Sequence, residues 1–114
     1  MTGVQTCALP ISDFCGNSRL RWPLLPSTSP AEPAFEPHNY WRGPVWPIIN
    51  WLLWDALSQL GCAGRADELR RDSLSQLAAG GEFAEYFEPF TGAALGSPRQ
   101  SWTAAVALDW LAAG

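Results

Sequence analysis

Basic residues are scarce in this chain. Seven Lys+Arg stand against eleven Asp+Glu, giving a formal net charge of −4, and the basic residues form no cluster. A phosphate backbone would find no electrostatic footprint here, so nucleic acid is excluded as a partner. Histidine occurs once, at His38. With no second imidazole and no clustered carboxylate to join it, no metal site is expected, and His38 reads as a loop-surface residue. The cysteines, Cys7, Cys15 and Cys62, are odd in number and lack metal-ligand spacing. They are expected to be free thiols in a reducing, cytoplasmic compartment. No apolar run is long and unbroken enough to cross a bilayer, so no membrane association is expected. No cofactor is expected either.

Aromatic and apolar residues, by contrast, are plentiful. The chain is 47% hydrophobic, with seven tryptophans and ten prolines in 114 residues, a length that normally makes one domain. Four of those tryptophans (Trp41, Trp46, Trp51 and Trp54) fall within the fifteen residues YWRGPVWPIINWLLW, Tyr40 to Trp54. Large aromatic surfaces gathered near turns suit flat ligands such as sugar rings; the alternative for any one tryptophan is simple packing mass. After the Gly43-Pro44 turn the sequence predicts a helix from about Val45 to Leu60. Pro47 is tolerable there because it lies in the first turn, where its missing N–H has no partner to lose. From Val45 on, only Asn50, Asp55, Ser58 and Gln59 are polar, so this helix is expected to be buried on most sides.

Along the chain, MTGVQTCALPIS looks foreign to the rest and resembles a translated sequencing adapter. Residues 1–12 are therefore expected to take no part in the fold. If so, Met1 is not a true start and the chain is the C-terminal piece of a longer protein. Residues 13–38 read as a proline-rich loop, punctuated by Pro23, Pro26, Pro30 and Pro33. Gly61 is a plausible C-cap for the first helix. A second helix is predicted from Ala63 to Ala79, with Ala66, Leu69, Ser73 and Leu77 as its apolar stripe and Leu74 beside it. Its opposite face is charged, with Asp67 and Arg71 spaced to pair at i, i+4. Glu82 to Pro98 reads as loop. Ser101 is expected to cap a third, mostly apolar helix from Trp102 to about Ala113. Buried, amphipathic and buried helices in turn are what two concentric layers produce, as in an α/α toroid or another layered helical solenoid. Three helices cannot close a ring, which again points to missing sequence.

Within the loop EFAEYFEPFTGAALGSP, Glu82, Glu85 and Glu88 recur among Phe83, Tyr86, Phe87 and Phe90. A carboxylate among aromatics is partly desolvated, which disfavours its charged form. Such a set suits a sugar site, where rings stack and carboxylates hold hydroxyls or move protons. Composition alone equally allows a solvated acidic loop with an apolar underside. Pro89 and Thr91-Gly92 then form a tight turn that would hold the preceding residues rigidly.

YWRGPVWP with the following Asn50-Trp51-Leu52-Leu53, then EFAEYFEPFTG, then SWTAAVALDWL closely resemble the C-terminal part of glycoside hydrolase family 63-like proteins. Within that group the mannosylglycerate/glucosylglycerate hydrolase-like branch is the most similar. The upstream LPSTSPAEPAFEP also resembles the loop leading into that branch's Tyr-Trp-Arg-Gly-Pro motif. The likeness runs from about Leu25 to Leu111, while Asp13 to Pro23 match poorly. It implies an all-α fold, part of an (α/α)6 barrel, with residues 39–114 forming the C-terminal part of the catalytic domain. It further implies an inverting glycosidase with two acidic residues on loops at one mouth of the barrel. The family's general base sits in a Glu-Tyr-Phe-x-Pro-x-Thr-Gly motif, which assigns the role here to Glu85. Glu88 stands where the family often has aspartate and is expected to serve the turn or support the base, while Glu82 has no counterpart and no role.

The family's general acid is an upstream aspartate. Asp13, Asp55, Asp67, Asp72 and Asp109 all sit in the wrong context, so the chain alone is expected to be inactive. Tyr40, Trp41, Trp46 and Trp102 would wall the sugar subsite, with Gly43 and Tyr86 also at the substrate. Arg42 would bind hydroxyls or a glycerate carboxylate, or else tie loops together. Arg42 or the Trp102 N–H would keep Glu85 ionised, and Trp51, Trp54 and Trp110 would serve packing. The implied partner is a small sugar or glycoside. Two alternatives remain: a trehalase-like or debranching-type α-glucosidase, and a non-catalytic carbohydrate-binding helical remnant.

Overall fold

The structure, a computed structural model, describes residues 15–114. The adapter-like segment, Cys7 and Asp13 lie outside the described residues. A loop from residue 15 leads to a single 3-10 turn at Tyr40–Arg42. Helix α1 (Pro47–Gln59) and helix α2 (Ala63–Gly80) follow, then strands β1 (Tyr86–Phe87) and β2 (Ala94–Leu95), then helix α3 (Ser101–Ala113). Helix α1 packs most extensively on α2, and α3 meets both.

The first helix starts two residues later than its apolar pattern predicts. Val45 is already committed elsewhere: it exchanges both backbone hydrogen bonds with Phe87, at 2.9 and 2.8 Å. Trp46 precedes a proline, which disfavours helical dihedrals, and it stays extended as the N-cap. The other end closes as the sequence suggests. Gly61 turns left-handed (φ 80°). Its N–H donates to the Ser58 carbonyl at 3.2 Å, and that of Cys62 donates to Leu57 at 2.9 Å. These two bonds satisfy carbonyls the helix would otherwise leave unpaired.

Helix α2 buries Ala66, Leu69, Ser73 and Leu77, the predicted stripe, together with Gln76. The Arg71 guanidinium meets Asp67 at 3.0 Å on the wet face. Gly81 (φ 73°) ends the helix in the left-handed region. In α3, Ser101 is the first helical residue and not the cap. Gln100 takes that position without a side-chain bond, and its N–H instead donates to the Phe83 carbonyl at 2.8 Å.

Two further expectations need correction. The segment 82–98 is not simple loop, because β1 and β2 pair as an antiparallel hairpin inside it. Nor are all the cysteines free thiols. Cys15 is free and buried, but Cys62 is disulfide-bonded.

Asn50 on α1 holds the proline-rich loop against the helices. Its carboxamide accepts from the Leu25 N–H at 2.9 Å and donates to the Leu25 and Trp46 carbonyls at 3.0 and 3.1 Å. An amide with 1% exposure is tolerated in the core because these partners satisfy it. Above it the core gathers Leu24, Val45, Leu57, Phe87, Val106 and Trp110.

The apolar helices are less enclosed than their composition asks. The molecule is only 18 Å thick across its shortest axis, under two helix diameters. Large apolar side chains therefore stay open: Leu52 on α1, Leu60 just after it, and Leu108 and Leu111 on α3 are 51–70% exposed. Exposed apolar side chains in this number favour partner binding or self-association. The isolated 114-residue chain should therefore bind the dye ANS strongly and sediment as oligomers. A dye-silent monomer with a cooperative melt would contradict this.

Candidate active site

The Val45–Phe87 backbone pair sets the Tyr40–Trp46 segment beside the β1–β2 hairpin. Five aromatic rings meet at this seam, and Trp46 is their centre. The Trp41 ring stacks on it at 3.7 Å and 10°, and the Tyr86 ring at 4.7 Å and 24°. Tyr40 and Trp102 approach it edge-on, at 4.8 and 6.3 Å. The edge-on approaches are a geometry that aromatic quadrupoles favour, whereas the close, nearly parallel Trp41–Trp46 stack rests on apolar burial. The Trp46 Nε1–H donates to the Tyr40 carbonyl at 2.9 Å.

Trp46 is completely buried. With the Trp41 and Tyr86 rings stacked on it, it supports the outer rings and has no surface left for a sugar. The rings that do face solvent are Tyr40, Trp41 and Trp102, at 45, 44 and 40% exposure. Tyr40 also carries the one positive φ outside glycine among the described residues, 41°. A bulky residue in that region stores strain, a trait concentrated at functional sites.

Arg42 does not point at the candidate base. Its Nε donates to the Ala34 carbonyl at 3.1 Å, and its guanidinium pairs with Glu36 at 3.2 Å. Of the two roles open in the sequence, the loop tie is the one these contacts describe. Gly43 is buried as well, because the chain passes close to Glu36. A Cβ on Gly43 would run into the Glu36 carbonyl, and its N–H donates to Ser27 Oγ at 3.0 Å.

Glu85 is half-buried at the edge of the hairpin. The donor it receives is the Ser97 backbone N–H, 3.1 Å from Oε1, in place of the expected Arg42 or Trp102 N–H. Beneath it, the buried Thr103 hydroxyl on α3 donates to the Ala84 carbonyl at 2.9 Å, tying the segment before Glu85 to the helix. Neither Ser97 nor Thr103 stands out in the sequence, since a backbone N–H has no residue signature and Thr103 reads as one more helix position. Glu82 is exposed.

Glu88 is 3% exposed and serves the turn. Its Oε1 accepts from the Phe90 N–H at 2.8 Å and its Oε2 from the Thr91 N–H at 2.9 Å. Burial pushes its carboxyl up, but hydrogen bonds from Thr91 and Phe90, with His38 nearby, outweigh this and leave it below the usual value. The stabilising contribution of a depressed carboxyl is complete above its unfolded value, about 4.3 for glutamate. It is lost as pH falls through the lower folded value. Hydrogen exchange at the Phe90 and Thr91 amides should thus stay protected at about pH 5 and weaken only in stronger acid. Glu88→Gln should remove that acid dependence and cost about 1–3 kcal/mol of local stability.

Among the described residues, no group of three or more His, Cys, Asp or Glu is arranged to hold a metal ion. The mid-helix tryptophans serve packing. Trp110 is fully buried, and Trp51 lies 6.3 Å from Trp54 and donates to Asp109 at 2.6 Å.

Comparison with known proteins places this arrangement. Residues 11–103 match the mannosylglycerate hydrolase MGH1-like glycoside hydrolase domain. The chain is 55% identical over 98 residues to a glucosylglycerate hydrolase of Mycolicibacterium hassiacum, covering 86% of this chain and 22% of that protein. It is 45% identical over 87 residues to a mannosylglycerate hydrolase of Thermus thermophilus, covering 76% and 21%. The chain thus spans about a fifth of the length of these curated relatives. Crystal structures of a GH63 mannosylglycerate hydrolase from Thermus thermophilus superpose on it. The complex with Tris and D-glycerate does so at a TM-score of 0.78 and 38% identity, over 95% of this chain and 25% of that one. The glucose complex gives 0.82 and 37%, over 97% and 28%. The chain therefore belongs to the mannosylglycerate hydrolase MGH1-like family of glycoside hydrolases, and its helices are a segment of that family's (α/α)6 barrel.

Proposed function

We propose that this chain is the base-bearing segment of an inverting glycoside hydrolase that acts on a small α-glucoside or α-mannoside. Residues 39–114 supply the C-terminal part of its catalytic domain and residues 13–38 the loop that leads into it. Glu85 is the general base. The observation that carries this reading is the seam itself: one backbone pair, Val45 with Phe87, brings a carboxylate and a row of exposed aromatic rings to the same edge.

Inversion requires a carboxylate that deprotonates a water on the face of the sugar opposite the leaving group. A second carboxyl group, roughly 6.5–9.5 Å away, protonates the departing oxygen. Glu85 fits the first role, because the Ser97 N–H fixes one of its oxygens at 3.1 Å while the side chain stays half-exposed. Tyr40, Trp41 and Trp102 wall the sugar ring, and Trp46 and Tyr86 hold those walls in place. The general acid lies outside this chain, so the segment by itself is inactive. Glucosylglycerate is the favoured substrate, since the relative named for it is 55% identical and the mannosylglycerate hydrolase 45%.

The test starts from the full-length reading frame, recovered by sequencing across the junction near Ser12. On glucosylglycerate, the Glu85→Gln enzyme should lose several orders of magnitude in kcat and keep KM near the wild-type value. Proton NMR of the wild-type reaction should show the β-anomer of glucose first. Initial release of the α-anomer, or an active Glu85→Gln enzyme, would refute the reading. The 114-residue chain should show no turnover.

A further inference from the structure

We infer that the turn at Gly96–Ser97 is a positioning device for the Glu85 carboxylate, an inference that rests on Glu85 being the base. Tyr86 pairs with Leu95, so an unbroken ladder would set Glu85 opposite Gly96. Instead the Glu85 N–H donates to the Ser97 carbonyl at 2.8 Å. The second strand has gained one residue. Gly96 is that residue, at φ 70°, and a left-handed glycine in an antiparallel pair is the mark of a bulge that re-aims a neighbouring side chain.

What is re-aimed here is a donor. Stepping past Gly96 frees the Ser97 N–H from the ladder and turns it toward Glu85 Oε1, at 3.1 Å. Ser97 thus holds Glu85 twice, through its carbonyl on the backbone and through its N–H on the side chain. Among the described residues no protein donor reaches Oε2, which leaves that oxygen for a water. The device works only with glycine in the bulge. A Cβ on Gly96 would lie 2.5 Å from Glu85 Oε1 and 2.6 Å from Tyr86 Cε1. It would push away both the carboxylate and the ring that stacks on Trp46.

The test uses the full-length enzyme. In Gly96→Ala, kcat on glucosylglycerate should fall about a hundredfold, the usual cost of an ångström of misplacement, with KM nearly unchanged. A folded Gly96→Ala enzyme with wild-type kcat would overturn the inference. Should that variant fail to fold, the wild-type enzyme labelled with 15N-serine decides. The Ser97 amide resonance should move in Glu85→Gln, where its acceptor loses the carboxylate charge. A Ser97 resonance unmoved by Glu85→Gln, together with an inactive Glu85→Gln enzyme, would remove the positioning role and leave the base intact. An active Glu85→Gln enzyme would remove both.

Discussion

Two backbone hydrogen bonds, exchanged between Val45 and Phe87 at 2.9 and 2.8 Å, join the parts of the molecule that matter. Among the described residues, everything before Val45 is loop or single turn, and everything around Phe87 is a hairpin of two-residue strands. Neither is stable alone, since isolated short hairpins are marginal in water. Each becomes fixed by the other, over a core that the three helices supply. The same pair sets where α1 begins, because Val45 cannot serve a bridge and a helix at once.

The aromatic cluster follows from that constraint. Trp46 comes directly after Val45, so its ring is carried under Tyr86, the residue before Phe87. The stack of Trp41, Trp46 and Tyr86 then fills the seam, and Tyr40 is driven into a left-handed conformation to bring its ring in from the side. Burial of Trp46 and the edge-on packing of Tyr40 against it offset the strain of that one residue. The exposed rings of Tyr40, Trp41 and Trp102 are each braced against the buried Trp46. Braced walls beside a carboxylate are what recognition of a sugar ring needs.

The helices were legible in the sequence because each has a periodic cue. Ala66, Leu69, Ser73 and Leu77 repeat at helical spacing, and Gly61 and Gly81 mark two of the ends. The family was legible because three motifs occur in the right order. The hairpin was not, since strands of two residues show no alternation. Trp46 reads as a site wall beside Trp41, and only the tertiary stack reveals that it lies beneath. The two roles open to Arg42 turned on which carbonyl lay within reach, a matter of loop path. Ser97 acts through its backbone N–H, which every residue but proline possesses, so side-chain identity carried no hint of it. Gly96 could be read as a turn glycine, but not as the one facing Glu85.

The central claim is that Glu85 activates a water on the face opposite the leaving group. Chemical rescue tests it directly. In the full-length enzyme, Glu85→Ala removes the base and leaves space for a small anion that needs no deprotonation. Adding azide should restore cleavage of an α-glucoside with a good leaving group and yield the β-glucosyl azide. Absence of rescue in a folded enzyme, or formation of the α-glucosyl azide, would contradict the account.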